Sequence, residues 1–519
     1  MWRHADIRNL AEIPSIHAQE RPQHIALVDP AGQLSFAELE KNTARFAGVL
    51  NAAGVAEAAH VGFIGKNSAL YFQVLFGAMR AGCALLPLNW RLAVPELASV
   101  MADAQLSLVV ADREFLAMAQ AAKELAGLTF TLIEADSARS GDSELDARLA
   151  AAASQPAVSA AIDPRQTALL IYTSGTTGKP KGVCISHQAL NYMRLCEHLE
   201  PALSWQQDDV MLMVMPNFHL VGTALALQSL YNGSTVSILA ALDPGKLIDL
   251  IERDRPTICA LVPTAIQMML DHPRAATADL SSLRLVMYAG SSISSTLLKR
   301  ALKQLKCRFM QFYGGTELSG QVTLLRPEQH RLDDEQKLKS CGTPMPLMEL
   351  RVVDPAGNDL PHGEIGELWV RTPTIFSHYW NQPEATAASF SGSWYRTGDA
   401  AKRDEEGFFY IVDRIKDMIV SGGENVYSTE VEQALQRHPA VNMSAVIGVA
   451  DDKWGERVVA AVVLLPDQQL SAADLIEHCR QHIAGYKVPK QIHFVSSLPV
   501  TPSGKVAKRV LRDDIAARA

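Results

Sequence analysis

Apolar positions recur along this chain at two spacings. Residues 35–53 place Leu39, Ala44, Phe46, Ala47 and Leu50 at helical intervals, and residues 69–81 repeat the pattern. Two helices are predicted there. Residues 61–64, 84–87 and 106–110 are short apolar runs of strand type. Strand-type runs alternating with helical stretches predict a parallel α/β sheet. The rhythm continues with strands expected at 167–171, 183–185, 210–215, 234–239, 258–262, 285–288 and 309–312, and helices at 222–230 and 246–251. Several of these strands run into polar or glycine-containing turns: Pro216-Asn217-Phe218-His219, Ala289-Gly290-Ser291-Ser292 and Tyr313-Gly314-Gly315-Thr316-Glu317. Ligands of parallel α/β sheets gather outside the carboxyl ends of the strands, so one crevice ringed by these turns is expected.

From Leu350 the texture changes. Residues 351–354 and 366–370 read as strands, and helical periodicity does not return until Thr429. A small β subdomain is predicted. Residues 431–435, 445–449, 458–465, 473–482 and 492–495 then make a unit of about domain size. The expected fold class is α/β: a large N-terminal domain over 1–414, made of α/β subdomains plus the small β subdomain, then a small α+β C-terminal domain over 415–519.

Length supports this division, since 519 residues exceed what one core usually holds. Hydrophobic residues make 48% and charged residues 20%, as in ordinary globular chains. A formal net charge of −8 argues against nonspecific nucleic-acid binding. Seven scattered cysteines, with no Cys-x-x-Cys pair, suggest a reducing compartment and neither a disulfide framework nor a structural metal. The N-terminus has no secretory pattern, and the most apolar early run contains Arg80 and is short for a bilayer, so a cytoplasmic protein is expected.

The strongest chemical signal is Tyr172-Thr173-Ser174-Gly175-Thr176-Thr177-Gly178-Lys179-Pro180-Lys181-Gly182-Val183, set between two apolar runs. Glycines allow the loop to turn backbone N–H groups inward as an anion nest. Ser174, Thr176 and Thr177 add donors, and Lys179 and Lys181 add charge. A polyphosphate is the natural guest, although the spacing is not that of a Walker A loop.

This stretch resembles the phosphate loop of the adenylate-forming enzymes, the superfamily of acyl-CoA synthetases, peptide-synthetase adenylation domains and firefly luciferase. The resemblance runs from Asp29 to Arg512 with the motifs in family order. It implies ATP, Mg²⁺ and coenzyme A as reactants, and a C-terminal domain that moves between two half-reactions. Thr173 to Lys179 and Lys181 would bind phosphate, with Gly290, Ser291 and Tyr313 beside the adenine. Thr316 would bond phosphate and Glu317 would hold Mg²⁺. Trp394-Tyr395-Arg396-Thr397-Gly398-Asp399 matches the family's ribose motif, with Asp399 and Arg414 as ligands. Lys416 falls on the hinge, and Gly422, Gly423, Trp454, Tyr486 and Lys490 on the coenzyme A path. Pro499-Val500-Thr501-Pro502-Ser503-Gly504-Lys505 matches the terminal motif. Lys505 would stabilise charge as two anions meet in adenylation, and its acetylation would remove that charge, making it a candidate target of a lysine acetyltransferase. Oligomeric state stays open.

His219 matches a histidine beside the acyl carboxylate. The acyl wall is expected from His219, Val221, Gly222, Thr223, Ala289, Gly314, Gly315 and Leu318. Most are small, and none is an acid that could receive an amino group. Missing side chains predict apolar volume, hence a medium- to long-chain fatty acid, with benzoate- or cinnamate-type acids as the alternative. A ligase that loads a carrier protein, a luciferase-like oxygenase and an inactive nucleotide-binding regulator are the rivals; intact Lys179, Glu317, Asp399 and Lys505 oppose the last. Two departures stand out. Ser428 replaces a proline common after Gly-Gly-Glu-Asn, and Cys341 sits beside Gly342 where an aliphatic residue is usual. Both are expected to leave catalysis intact and to act on local backbone geometry.

Overall fold

The computed structural model describes residues 7, 9–153, 162–173, 180–290, 293, 295–330, 332–422, 424–451, 453–500 and 506–516. The helices start where the chemistry says they should. Ser35 caps Phe36–Ala52 through Glu38 N, and Glu38 returns the bond to Ser35 N at 2.8 Å. Ser68 caps Ala69–Arg80, whose residues are all buried. Its one charge is answered by Glu40, 2.5 Å from Arg80 Nη2. Gly77 is small because Phe46 of the neighbouring helix lies where a Cβ would stand.

Contacts divide the chain into two compact units. The first, residues 1–349 with 371–395, holds two large sheets. One runs in the order Thr343–Pro344, Gly320–Leu325, Arg308–Gly315, Leu285–Tyr288, Ile258–Leu261, Val210–Met213, Thr235–Ile238, Ile25–Asp29, Gly32–Ser35. The other runs His378–Tyr379, Lys181–Ser186, Thr167–Thr173, Ala84–Leu88, His60–Ile64, Leu106–Asp112, Thr131–Ala135. Parallel pairing was expected and fills the middles of both sheets. Antiparallel pairs occur toward one edge of each, Arg308–Gly315 with Gly320–Leu325 and Thr167–Thr173 with Lys181–Ser186, while Thr131–Ala135 at the far edge of the second sheet is parallel. The short connections of the antiparallel pairs permit only that direction. One core packs Leu212, Leu247, Ile251, Leu261, Val286 and Phe309; another packs Ile64, Leu86, Leu97, Val109 and Phe115.

The second unit is 350–370 with 396–519. It carries most of the small β layer, including Phe409–Arg414 paired antiparallel to residues 399–403. It also carries a sheet in which Ile419–Ser421 and Val441–Asp451 flank Gly455–Leu464, with Gln491–Phe494 joining in parallel. Compactness therefore draws its line at 349/350 and returns 371–395 to the first unit. This division differs from the one expected at 414/415. Among the described residues, no helix is long and apolar enough to cross a membrane.

Candidate functional site

The phosphate-loop strands form as expected. Thr167–Thr173 and Lys181–Ser186 pair antiparallel, with Thr173 opposite Lys181 at the open end. Ser174, Gly175, Thr176, Thr177, Gly178 and Lys179 lie outside the described residues, as do Ser291, Gly423 and Lys505. Tyr172 is tied by its hydroxyl to Asp103 at 2.5 Å. Burial and that carboxylate push its ionisation well above the ordinary range.

Lys181 meets the second motif through a residue that the sequence did not single out. Its Nζ stands 4.6 Å from the centre of the Tyr379 ring, and Tyr379 Oη donates to Glu317 Oε1 at 3.0 Å. Burial, and then the Glu317 charge, raise the Tyr379 phenol above its usual value, so it stays a donor. The backbone is stitched at the same place. Phe376 N donates to Glu317 O at 2.8 Å, Thr374 Oγ1 to Leu318 O at 2.9 Å, and Trp380 N to Gly182 O at 2.7 Å. Residues 374–380 thus lace the Thr316–Leu318 turn to the phosphate-loop hairpin. The only cue in the sequence was a run of aromatics, Phe376, Tyr379 and Trp380.

The turn before His219 is fixed from below. Asn67 accepts from Asn217 N at 2.8 Å, and Asn217 Nδ2 donates to Gly65 O at 3.1 Å. His219 then starts the helix Leu220–Tyr231 and packs on Phe218, ring centres 4.7 Å apart. Phe218 joins a cluster also missed in sequence: Trp90 at 6.1 Å, Arg91 over both rings, and Lys66 5.8 Å from Trp90.

Four glycines of the expected crevice wall differ in why they are glycine. A Cβ at Gly222 would come 2.5 Å from Met215 O, so this glycine lets the helix close on the strand end. A Cβ at Gly314 would come 2.7 Å from Gln321 Cα across the antiparallel pair. Neither position supplies empty acyl volume. Gly315 does: among the described residues a Cβ there would come no closer than Glu317 Oε2 at 3.7 Å and Leu318 Cδ1 at 4.0 Å. Gly290, at φ +89°, lies two residues beyond Tyr288, and among the described residues a Cβ there would meet only Val262, at 3.4 Å. Thr223 is buried and turned inward, donating to Asn217 O at 2.9 Å and bonded to Tyr71 Oη at 2.6 Å. Leu318 is buried, while His219, Val221, Ala289, Tyr313, Gly315, Thr316 and Glu317 are half-exposed. The volume expected from small residues therefore shrinks to the neighbourhood of Gly315, Gly290 and Ala289.

In the second unit Asp399 and Arg414 are direct register partners, and Arg414 Nε lies 2.6 Å from Asp399 Oδ1. Thr397 Oγ1 accepts from Asp399 N at 3.0 Å and donates to Leu368 O at 2.7 Å, which fixes the carboxylate's backbone. Lys416 comes next, in a single turn, Ile415–Asp417, where burial lowers its pKa. Gly422, at φ +63°, donates to Trp454 O at 2.8 Å, and its missing Cβ leaves room for the indole. Lys490 and Lys453 stand 5.6 and 5.0 Å from the Trp454 ring. Gly422, Trp454 and Lys490 are thus together; Tyr486 has Lys487 beside it, 5.6 Å from its ring. Cys341 is accommodated: its carbonyl accepts from Thr323 Oγ1, and the position that tolerates no side chain is its neighbour Gly342, at φ +84°, where a Cβ would strike Leu324.

The family model of the AMP-binding enzymes matches residues 15–380, and that of their C-terminal domain matches residues 430–505. A fatty acid–[acyl-carrier-protein] ligase of Streptomyces coeruleorubidus is 35% identical over 512 residues, covering 98% of this chain and 97% of that enzyme. A feruloyl-CoA synthase of an Amycolatopsis species is 36% identical over 506 residues, covering 97% and 99%. The structure of ATP-bound MatB from Rhodopseudomonas palustris superimposes with a TM-score of 0.88 at 30% identity, covering 98% of each chain.

Proposed function

The chain belongs to the AMP-binding enzyme family, and we propose that it activates an apolar carboxylic acid as acyl-AMP and transfers the acyl group to coenzyme A. It is an acid–thiol ligase of the adenylate-forming, AMP-producing kind. The observation that carries the reading is the convergence of Lys181, Tyr379 and Glu317 at the open end of the phosphate-loop hairpin.

In the first half-reaction a carboxylate oxygen attacks the α-phosphorus of ATP, and the bond to pyrophosphate breaks. Lys181 and the loop before it offset phosphate charge, Asp399 and Arg414 receive the ribose, and His219 orients the acyl carboxylate. Glu317 fits Mg²⁺: it is a hard oxygen donor steadied by Tyr379 through Oε1, with Oε2 on the side of Gly315. Bound there, the ion would neutralise phosphate charge. Lys505 supplies the fixed positive charge for the developing transition state. In the second half-reaction the thiol sulfur attacks the acyl carbon, its proton is released, and AMP leaves. Lys416 is the hinge between these steps, and the working domain boundary is 414/415. The acceptor is coenzyme A, because the exposed Trp454 indole flanked by Lys453 and Lys490 suits an adenine and its phosphates.

The acid is a medium- to long-chain fatty acid, on the apolar lining of Val221 and the open space at Gly315. A second reading, an aryl acid, is favoured by the backbone that fills the positions beside Gly222 and Gly314. AMP formation dependent on coenzyme A, measured over acids from acetate to palmitate plus benzoate, cinnamate and ferulate, tests both. AMP release that ignores coenzyme A but requires an acyl carrier protein would overturn the acceptor.

A further inference from the structure

The helix His187–His198, which follows the phosphate-loop hairpin, carries a buried ion pair to which neither half-reaction gives a role. Arg194 and Glu197 lie one turn apart on it, both buried, and Arg194 Nη1 donates to Glu197 Oε2 at 3.2 Å. Each also reaches a different neighbour. Arg194 Nη2 donates to Ala224 O at 3.0 Å, in the helix Leu220–Tyr231 that His219 starts. Glu197 Oε1 accepts from Gln321 Nε2 at 2.8 Å, in the strand Gly320–Leu325. Gln321 is the register partner of Gly314, and one extra residue, Val322, lies opposite the step from Tyr313 to Gly314. The strand is held at both ends from the same side. A Cβ at Gly320 would come 2.8 Å from Met193 Cε, and Glu200, just past the helix, accepts from Arg326 Nε at 3.0 Å and Nη2 at 2.5 Å.

Stability does not explain a charged pair here. Burial pushes Glu197 up to about 7 and lowers Arg194, so each is charged against the pull of its surroundings. Arg194 Nε is buried with no hydrogen-bond partner among the described residues. Apolar residues of similar volume replace such a pair with little loss of stability. They could not, however, hold the Ala224 carbonyl and the Gln321 amide at once. What the pair supplies is a fixed span between two elements: the helix that begins after His219, and the strand that backs Gly314 and Gly315. A bulge bends its strand and re-aims the neighbouring side chains. Whatever holds Gln321 therefore holds the approach to Gly315.

We propose that Arg194 and Glu197 are positioning residues for the acid: as a pair they set the distance between His219 on one wall of the acyl crevice and Gly315 on the other, and so set which acids fit. This rests on the crevice assigned above to His219 and Gly315. Neither side chain is required to touch the substrate.

The test compares specificity constants over acids from acetate to palmitate, plus benzoate, cinnamate and ferulate, for the full-length wild type and three variants, with urea unfolding of each. Arg194→Met combined with Glu197→Leu replaces the pair by apolar side chains. Gln321→Met keeps the pair and cuts only its link to the strand. In both, the preference of wild type for its best acid over the rest of the series is expected to fall about tenfold, at about fourfold for each methylene of lost fit, with the KM for ATP unchanged. Glu197→Gln keeps an oxygen for Gln321 and is expected to keep the wild-type preference while unfolding at lower urea. Were the role merely structural, preference would follow stability instead. Unchanged acid profiles in the double variant and in Gln321→Met, or one uniform loss across all acids, would overturn the inference and leave the function standing. If the double variant does not fold, Gln321→Met decides by the same criterion. Wild type that forms no AMP with any acid would overturn the function and this inference with it.

Discussion

Tyr379 donates its phenolic hydrogen to Glu317 at 3.0 Å while its ring lies under Lys181. One side chain thus orients the carboxylate assigned to Mg²⁺ and packs against a lysine assigned to phosphate. Tyr379→Phe removes the first function and keeps the second. Pyrophosphate release should fall about tenfold at low Mg²⁺, the cost of one hydrogen bond to a charged group, and recover in part as Mg²⁺ is raised. Tyr379→Leu removes both functions and should not recover. Identical Mg²⁺ titrations for wild type and Tyr379→Phe would show that Glu317 needs no such support.

Lys505→Ala should lose acyl-AMP formation by about two to three orders, the effect of removing one electrostatic stabiliser. Supplied acyl-AMP should still react with coenzyme A. Rapid-quench measurement of both half-reactions decides it, and parallel damage to both would reject this division of labour.

Lys416→Pro fixes one backbone angle near −65° at the assigned hinge. Pyrophosphate release should persist while thioester formation falls. A variant normal in both steps would remove Lys416 from the mechanism.

The fold was legible in sequence where period and punctuation agreed. Strands at 167–171 and 285–288 and helices at 35–53 and 69–81 appear within a few residues of where the apolar spacing put them. Tyr379 was not legible, because His378–Tyr379 is a two-residue strand that joins Lys181–Ser186 antiparallel from nearly two hundred residues away. No local pattern encodes that pairing. Gly222 and Gly314 misled for a different reason. A glycine in a sequence looks the same whether its missing side chain leaves a hole or makes way for backbone, and here carbonyl oxygens fill both places. At Ser428 the exchange for a family proline was visible, but the partners Asp413 and Lys508 are brought to it only by folding.

His187 predicts a pH dependence of stability. It is buried, its Nδ1 accepts from Leu10 N at 3.3 Å, and burial lowers its pKa from 6.5 to about 4. The unfolded chain then binds a proton between these values that the folded chain refuses. Stability from this group is complete above pH 6.5 and falls as the pH drops toward 4. Between pH 7 and pH 5 the loss should be about 2 kcal/mol. His187→Gln keeps an acceptor for Leu10 and does not titrate, so urea unfolding of the variant should show that much less loss over the same interval. Parallel pH profiles would mean that folding does not lower the His187 pKa.

Gly315 is the position proposed to select the acid. Among the described residues a Cβ there meets nothing closer than 3.7 Å, so Gly315→Leu should fold normally and fill space that substrate would otherwise take. Gly314→Ala is the contrast, since its methyl would collide with the backbone at Gly320 and should destabilise the protein without altering specificity in whatever folds. Each methylene of a bound alkyl chain contributes about 0.8 kcal/mol, close to fourfold in the specificity constant. If the acid is a medium- or long-chain fatty acid, Gly315→Leu should move the optimum to shorter chains by several carbons and leave the KM for ATP unchanged. If the acid is aromatic, wild type should prefer cinnamate or ferulate over palmitate, and Gly315→Leu should lose these while retaining benzoate. Specificity constants for both proteins over that series separate the two cases. A profile that Gly315→Leu does not change would show that the acyl group lies elsewhere in the first unit.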